Sequence, residues 1–195
     1  VALLAAGSCL AATEAVVEGR VRRAFCAVRP PGHHASPARG MGFCIFNNIA
    51  LAARHAIRNL GLKRALIFDW DVHHGNGTQD IFWEDPEVFF FSSHQWPLFP
   101  GSGAESERGG GPGLGTTMNL PLREGTGADV VLAAIDGPLT KAMDAFKPDI
   151  LFISAGFDAR VDDPLGGLDW TDGDFVKLTR RLVAIAQKYS DGRQE

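Results

Sequence analysis

Cysteine is scarce. The 195 residues hold three, Cys9, Cys26 and Cys44, widely spaced and without a Cys-x-x-Cys pair. That excludes a disulfide framework and a zinc knuckle, and it suits reduced thiols in the cytoplasm, or in the nucleus of a eukaryote. A positive surplus is also missing. The 19 Lys and Arg face 23 Asp and Glu, for a formal charge of −4, so no basic surface is on offer to nucleic acid. No apolar run reaches the ~20 residues a membrane-spanning helix needs. The apolar opening from Val1 to Ala12 lacks a basic flank and continues through Glu14, Val16 and Val17 in a helical pattern. It reads as a core helix rather than a signal peptide. No internal repeat and no dividing linker is visible. With 45% apolar residues, the chain reads as one domain with a sizeable core.

Strand-like apolar runs sit near 24–28, 65–70, 87–92 and 150–155, with a shorter one near 117–120. Helical patterns lie near 2–18, 44–60, 129–146 and 172–190. Such alternation predicts an α/β fold, a mostly parallel sheet flanked by helices. Pro138 is expected to break or kink the 129–146 segment. Asp172 and Asp174, just before Phe175, read as a helix start, with capping carboxylates rather than catalytic ones. The stretch from Gly101 to Gly115, with Glu105, Glu107 and Arg108, reads equally as a mobile rim or a surface excursion.

The chemistry concentrates after the strand-like runs. Asp71-Val72-His73-His74-Gly75-Asn76-Gly77-Thr78 follows Ala65-Leu66-Ile67-Phe68. Asp71 and His73 are two apart, so an extended backbone would send both side chains to one face. Asp158 follows the second run, Ile150 to Ala155. In open parallel sheets, ligands bind beyond the carboxyl ends of the strands. Two carboxylates and one neutral imidazole meeting there would balance a divalent metal and leave positions open, the mark of a catalytic ion. Pro30-Pro31-Gly32-His33-His34 follows a third apolar run and supplies candidate acid and base groups.

These stretches, together with Gly42-Phe43-Cys44, Asn47-Asn48, Asp69-Trp70, Ser154-Ala155-Gly156-Phe157-Asp158 and Asp163-Pro164-Leu165-Gly166, resemble the zinc-dependent histone deacetylases of the class II and bacterial amidohydrolase branch. The motifs keep the family's order over nearly the whole chain. The resemblance implies the arginase/deacetylase fold, incomplete, with residues 1–195 as an internal part of the catalytic domain. It implies zinc on Asp71, His73 and Asp158, with His33 and His34 beside the metal-bound water. His34 would be the general base and His33 its electrostatic or proton-donating partner. Asp69 would orient His33, and Asn76 would hold His34 where other branches carry a carboxylate. Gly42, Phe43, Phe99 and Leu165 would form a channel for an acylated lysine stem. Core packing is the plain alternative for the two phenylalanines. Structural potassium would use Asp69, Asp71, His73, Ser92 and Ser93, and a second cation would lie near Phe82, Asp85 and Val88. His94 reads as structural rather than as a fourth ligand. The family's oxyanion tyrosine has no counterpart, since Tyr189, the one tyrosine, ends a helical pattern with no glycine pair beside it.

The implied activity is removal of acetyl or related acyl groups from lysine side chains of peptides or proteins. Acetylpolyamine amidohydrolases, acting on acetylated small amines, are the near alternative, and Leu165 in place of an acid tilts against them. A binuclear arginase-like site is disfavoured by Gly75 and Arg160, where further carboxylates would be needed. A non-catalytic acyl-lysine binder is the third reading, and the intact histidine pair argues against it. No direct contact with nucleic acid or membrane is expected.

Overall fold

The computed structural model describes residues 1–190. Four strands form one parallel sheet: β1 (Ala65–Asp69), β2 (Val88–Gln95), β3 (Thr117–Leu122) and β4 (Ile150–Ser154), in the order β3-β2-β1-β4. Every residue of β1 and β2 is buried. That explains their unbroken apolar runs: a parallel strand covered on both faces has no polar side to alternate with.

The helices divide between the two faces. On one face Ala65, Ile67, Val88, Phe90 and Phe152 pack under α1 (Ala2–Val17), α2 (Asn48–Arg58) and α3 (Asn76–Phe82). On the other, Leu66, Phe68, Phe91 and Leu151 meet α4 (Asp129–Ala134), α5 (Thr140–Phe146) and α6 (Asp172–Tyr189). Phe68 and Phe91 stack at 4.5 Å. Burying side chains of this size contributes about 1.5–3 kcal/mol each. After β1 the chain moves outward to β2 and β3, then crosses back to place β4 on the other side of β1. The gap between the carboxyl ends of β1 and β4 is therefore a topological switch point, where open α/β sheets leave a crevice.

Several expectations shift. Residues 24–28 carry no strand assignment. The helix expected over 44–60 is Asn48–Arg58, started by Asn47, whose side chain accepts the Ala50 N–H at 3.1 Å. Pro138 does not break its helix. A π-helical turn, Ile135–Leu139, absorbs it and joins α4 to α5, a known way of accommodating an irregular residue. Helix α1 is not wholly a core helix. It buries Ala5, Ala6, Cys9, Thr13 and Val16 and leaves Leu3 and Leu4 exposed. Thr171 caps α6 in a reciprocal box with Asp174, while Asp172 pairs with Arg160 at 2.7 Å.

Candidate metal centre and histidine pair

Asp71, His73 and Asp158 meet at the switch point, with one ligand-capable atom of each inside a 4.8 Å cluster. The route differs from strand alternation. β1 ends at Asp69, and residues 71–73 bend. Asp69 Oδ1 accepts the Asp71 N–H at 3.1 Å, and Asp71 Oδ1 accepts the His73 N–H at 2.8 Å. Two successive Asx turns thus set the two-residue spacing. From β4's end, Asp158 Oδ1 accepts the Val72 N–H at 3.0 Å.

His73 Nδ1 lies 3.1 Å from Asp71 Oδ1 and 3.0 Å from Asp158 Oδ2. Two carboxylates aimed at one ring nitrogen demand positive charge. Those hydrogen bonds raise the His73 pKa to about 10. Burial works against the charge on Asp71, but His33 and His73 hold its pKa down to about 2. The same demand suits a divalent ion, with the imidazole neutral and Nδ1 turned to the metal. Gly156 leaves the room: a Cβ there would sit 2.1 Å from Asp71 Oδ2.

His33 and His34 are buried, their ring centroids 3.9 Å apart. His33 Nδ1 donates to Asp69 Oδ2 at 2.9 Å, and its Nε2 lies 3.8 Å from Asp71 Oδ2. His34 Nδ1 donates to Asn76 Oδ1 at 2.8 Å. The partners differ in charge, so the rings separate electrostatically. Burial opposes a charge on His33, yet the carboxylates of Asp69 and Asp71 raise its pKa to about 9. Burial and the neighbouring His33 lower that of His34 to about 4. Burial raises the pKa of Asp69 against the pull of His33. The loop that carries the pair is fixed from both sides: the Thr78 N–H donates to the His33 carbonyl, and Asn47 Nδ2 donates to the Ala35 carbonyl.

Gly42 lies against His34, where a Cβ would be 2.2 Å from Cδ2. Gly42 and Phe43 both have positive φ, 54° and 63°, and the Cys44 N–H closes a turn onto the Met41 carbonyl at 2.8 Å. This turn throws Phe43 outward, 87% exposed. The Phe99 ring stands edge-on to His34 at 5.0 Å and to His73 at 6.2 Å. Leu165 is 60% exposed, next to Gly166, which abuts the Asp158 carbonyl. Neither phenylalanine belongs to the core.

Asp69 pairs in register with Ser92, and the Ser92 hydroxyl meets His94 Nδ1 at 3.0 Å. Ser93, one residue on, faces the opposite side of the sheet, and its buried hydroxyl has no hydrogen-bond partner among the described residues. The carboxylate of Asp85 is taken by Arg54 at 2.6 Å. Tyr189 lies on α6, bonded to Asp144, outside the site.

The sequence reading missed a second polar cluster. His74 Nε2 donates to Gln79 Oε1 at 3.1 Å, and the Ser102 hydroxyl donates to His74 Nδ1 at 2.8 Å. Gln79 Nε2 donates to Glu107 Oε2, and Asn119 Nδ2 to Gln79 Oε1. His94 Nε2 donates to the Gly103 carbonyl at 2.9 Å, which bears out its structural reading. Burial and mutual proximity keep His74 neutral, with a pKa lowered to about 3, and burial lowers that of His94 to about 4. The one signal in the sequence was the second histidine of His73-His74. The Gly101–Gly115 loop is tied down by this cluster and is no free excursion.

A parallel α/β sheet with a carboxylate–imidazole triad and a histidine pair at its switch point is an arrangement that could hold a divalent metal ion. The histone deacetylase domain model matches residues 1–194, and the chain belongs to that family. It is 47% identical to histone deacetylase 10, chloroplastic, of Oryza sativa subsp. japonica, over 98% of this chain and 44% of that protein. It is 45% identical to a probable deacetylase of Archaeoglobus fulgidus, over 98% and 53%. It is 45% identical to the polyamine deacetylase HDAC10 of Homo sapiens, over 95% and 29%. The crystal structure of the HDA15 HD domain superposes with a TM-score of 0.92 at 41% identity, over 99% of this chain and 56% of that one. The chain thus spans about half, or less, of the relatives it matches. Among the described residues no helix is long and apolar enough to cross a membrane.

Proposed function

We propose that this chain carries the metal centre of a zinc-dependent deacylase that hydrolyses acetyl or related acyl groups from lysine side-chain amides. The observation that carries the reading is the split pair: one histidine held by a carboxylate, the other by an amide, both beside the triad. Asp71, His73 and Asp158 would hold the zinc. When bound, such an ion supplies Lewis acidity, polarising a carbonyl and acidifying water. His34, neutral with Nδ1 committed to Asn76, keeps Nε2 free to accept a proton from attacking water. His33, bonded to Asp69, holds positive charge beside the reacting carbonyl and has a proton to give the departing amine. Phe99 and Phe43 offer flat apolar walls to an uncharged methylene stem. For a structural potassium ion, Asp69 and Ser92 are the side chains on a common face.

An acetylated polyamine is the second substrate, favoured by the likeness to proteins named polyamine deacetylase. Leu165, an apolar residue beside the site, favours acyl-lysine. The test is acetate release by the zinc-loaded protein from an acetyl-lysine peptide and from an acetylated polyamine, side by side. Turnover of the peptide that vanishes in His34→Ala, with zinc retained, is the expected result. Preference for the polyamine would move the substrate assignment. Tight binding of the peptide without turnover would leave a binder.

A further inference from the structure

The geometry points to Glu107 as a positioning residue for the Phe99 wall of the substrate channel, acting through Gly103. The inference rests on the deacylase reading for its functional meaning, but its structural core does not. Phe99 touches the site, and past Pro100 the chain runs through Gly101 and Gly103, with φ of 88° and 94°, a region glycine enters freely. Something must offset that freedom. Both peptide groups of Gly103 are held. Its N–H donates to both carboxylate oxygens of Glu107, each at 3.1 Å, and its carbonyl accepts from His94 Nε2. The Ala104 N–H is a second donor and makes a third contact to Glu107, at 3.0 Å. Gln79 supplies a fourth contact, to Oε2. His94 and Gln79 stand on β2 and α3, so the loop is bolted to the sheet and to the helix behind the metal ligands. A Cβ on Gly103 would lie 2.5 Å from His94 Nε2 and 2.6 Å from His74 Cγ, so the bolt fits only glycine.

Every donor aimed at Glu107 needs an acceptor. Glu107→Gln keeps the shape but turns one oxygen into a donor, which must then face the Gly103 N–H together with either the Ala104 N–H or Gln79 Nε2. Ser102→Ala is the gentler companion, cutting only the tie from the loop to His74.

The experiment combines hydrogen exchange with fluorine NMR of the chain labelled with fluorophenylalanine, the Phe99 line being assigned by Phe99→Leu. In Glu107→Gln, exchange at Gly103 and Ala104 should rise about tenfold while β1 and β2 keep their protection. The Phe99 line should shift or broaden, and Ser102→Ala should do the same more weakly. In the zinc-loaded full protein, KM for the acetyl-lysine peptide should rise several-fold with kcat little changed. Unchanged exchange at Gly103, or a Phe99 line that stays put while the loop loosens, would overturn the proposal. So would loss of protection spread evenly over the sheet in both variants. Absence of turnover in the unsubstituted protein would instead sink the deacylase reading, while the exchange and the Phe99 line still decide the clamp.

Discussion

Gly156 lies so close to Asp71 that a methyl group on its α-carbon would stand 2.1 Å from Oδ2. The two residues come from different strand ends, 85 positions apart, and the contact makes a glycine part of the candidate metal centre although it supplies no ligand atom. Gly156→Ala should therefore push the Asp71 carboxylate off its place and lower zinc affinity by about tenfold or more. Competition with a chromophoric chelator would measure it. Wild-type affinity in that variant would mean that the bend at 71–73 yields easily.

The amide of Asn76 tunes the second histidine. Asn76→Asp places a carboxylate 2.8 Å from His34 Nδ1, which favours the charged ring and raises its pKa by about a unit. A base must be unprotonated, so activity would be lost at a higher pH on the acid side. The pH profile of kcat/KM should show its acid limb displaced upward. An unmoved limb would take His34 out of the base role.

Phe43 sits at φ 63° in a turn whose preceding residue also has positive φ. A bulky side chain in that region costs about 1 kcal/mol, which asparagine largely avoids. The exposed ring gives little packing in return. Phe43→Asn should stabilise the fold by about that amount, visible in urea melts, while kcat/KM for acyl-lysine falls. A stabilised variant with undiminished kcat/KM would remove Phe43 from the channel.

The capping box of α6 should fail in acid. Hydrogen bonds from Lys177 and Thr171 lower the pKa of Asp174 from 3.8 to about 2. A depressed carboxylate contributes stability above its unfolded value and loses it as pH falls through the folded one. Near neutral pH, Thr171→Ala should cost ~1 kcal/mol. The stability difference between the wild type and Asp174→Asn should be constant above pH 5 and shrink between about pH 4 and 2. Urea unfolding across that range checks both. A difference that persists at the acid end would show that the cap does not depend on the charge.

The residue types and their local order determined a great deal. Apolar runs marked the four described strands, and they are unbroken in β1 and in the first half of β2 because a parallel strand buried on both faces needs no other pattern. The run at 24–28 misled, since an apolar segment also packs without pairing. Asp71 and His73 were legible as partners from their two-residue spacing, although Asx turns rather than strand alternation bring them together. Asp174 marks a helix start by equally local bonding, while Asp172, expected to cap beside it, pairs with Arg160 instead. The tertiary structure alone decided the rest. Asp158 reaches His73 across 85 positions and Asp69 reaches His33 across 36. The opposed charge states of two adjacent histidines follow from which distant side chain each one meets. The clamp of Glu107 on Gly103 was hidden for a related reason. A glutamate in a glycine-rich stretch reads as solvated until the fold brings His74, His94 and Gln79 beneath it, and burial turns each unpaired donor into a cost that only a fixed partner removes.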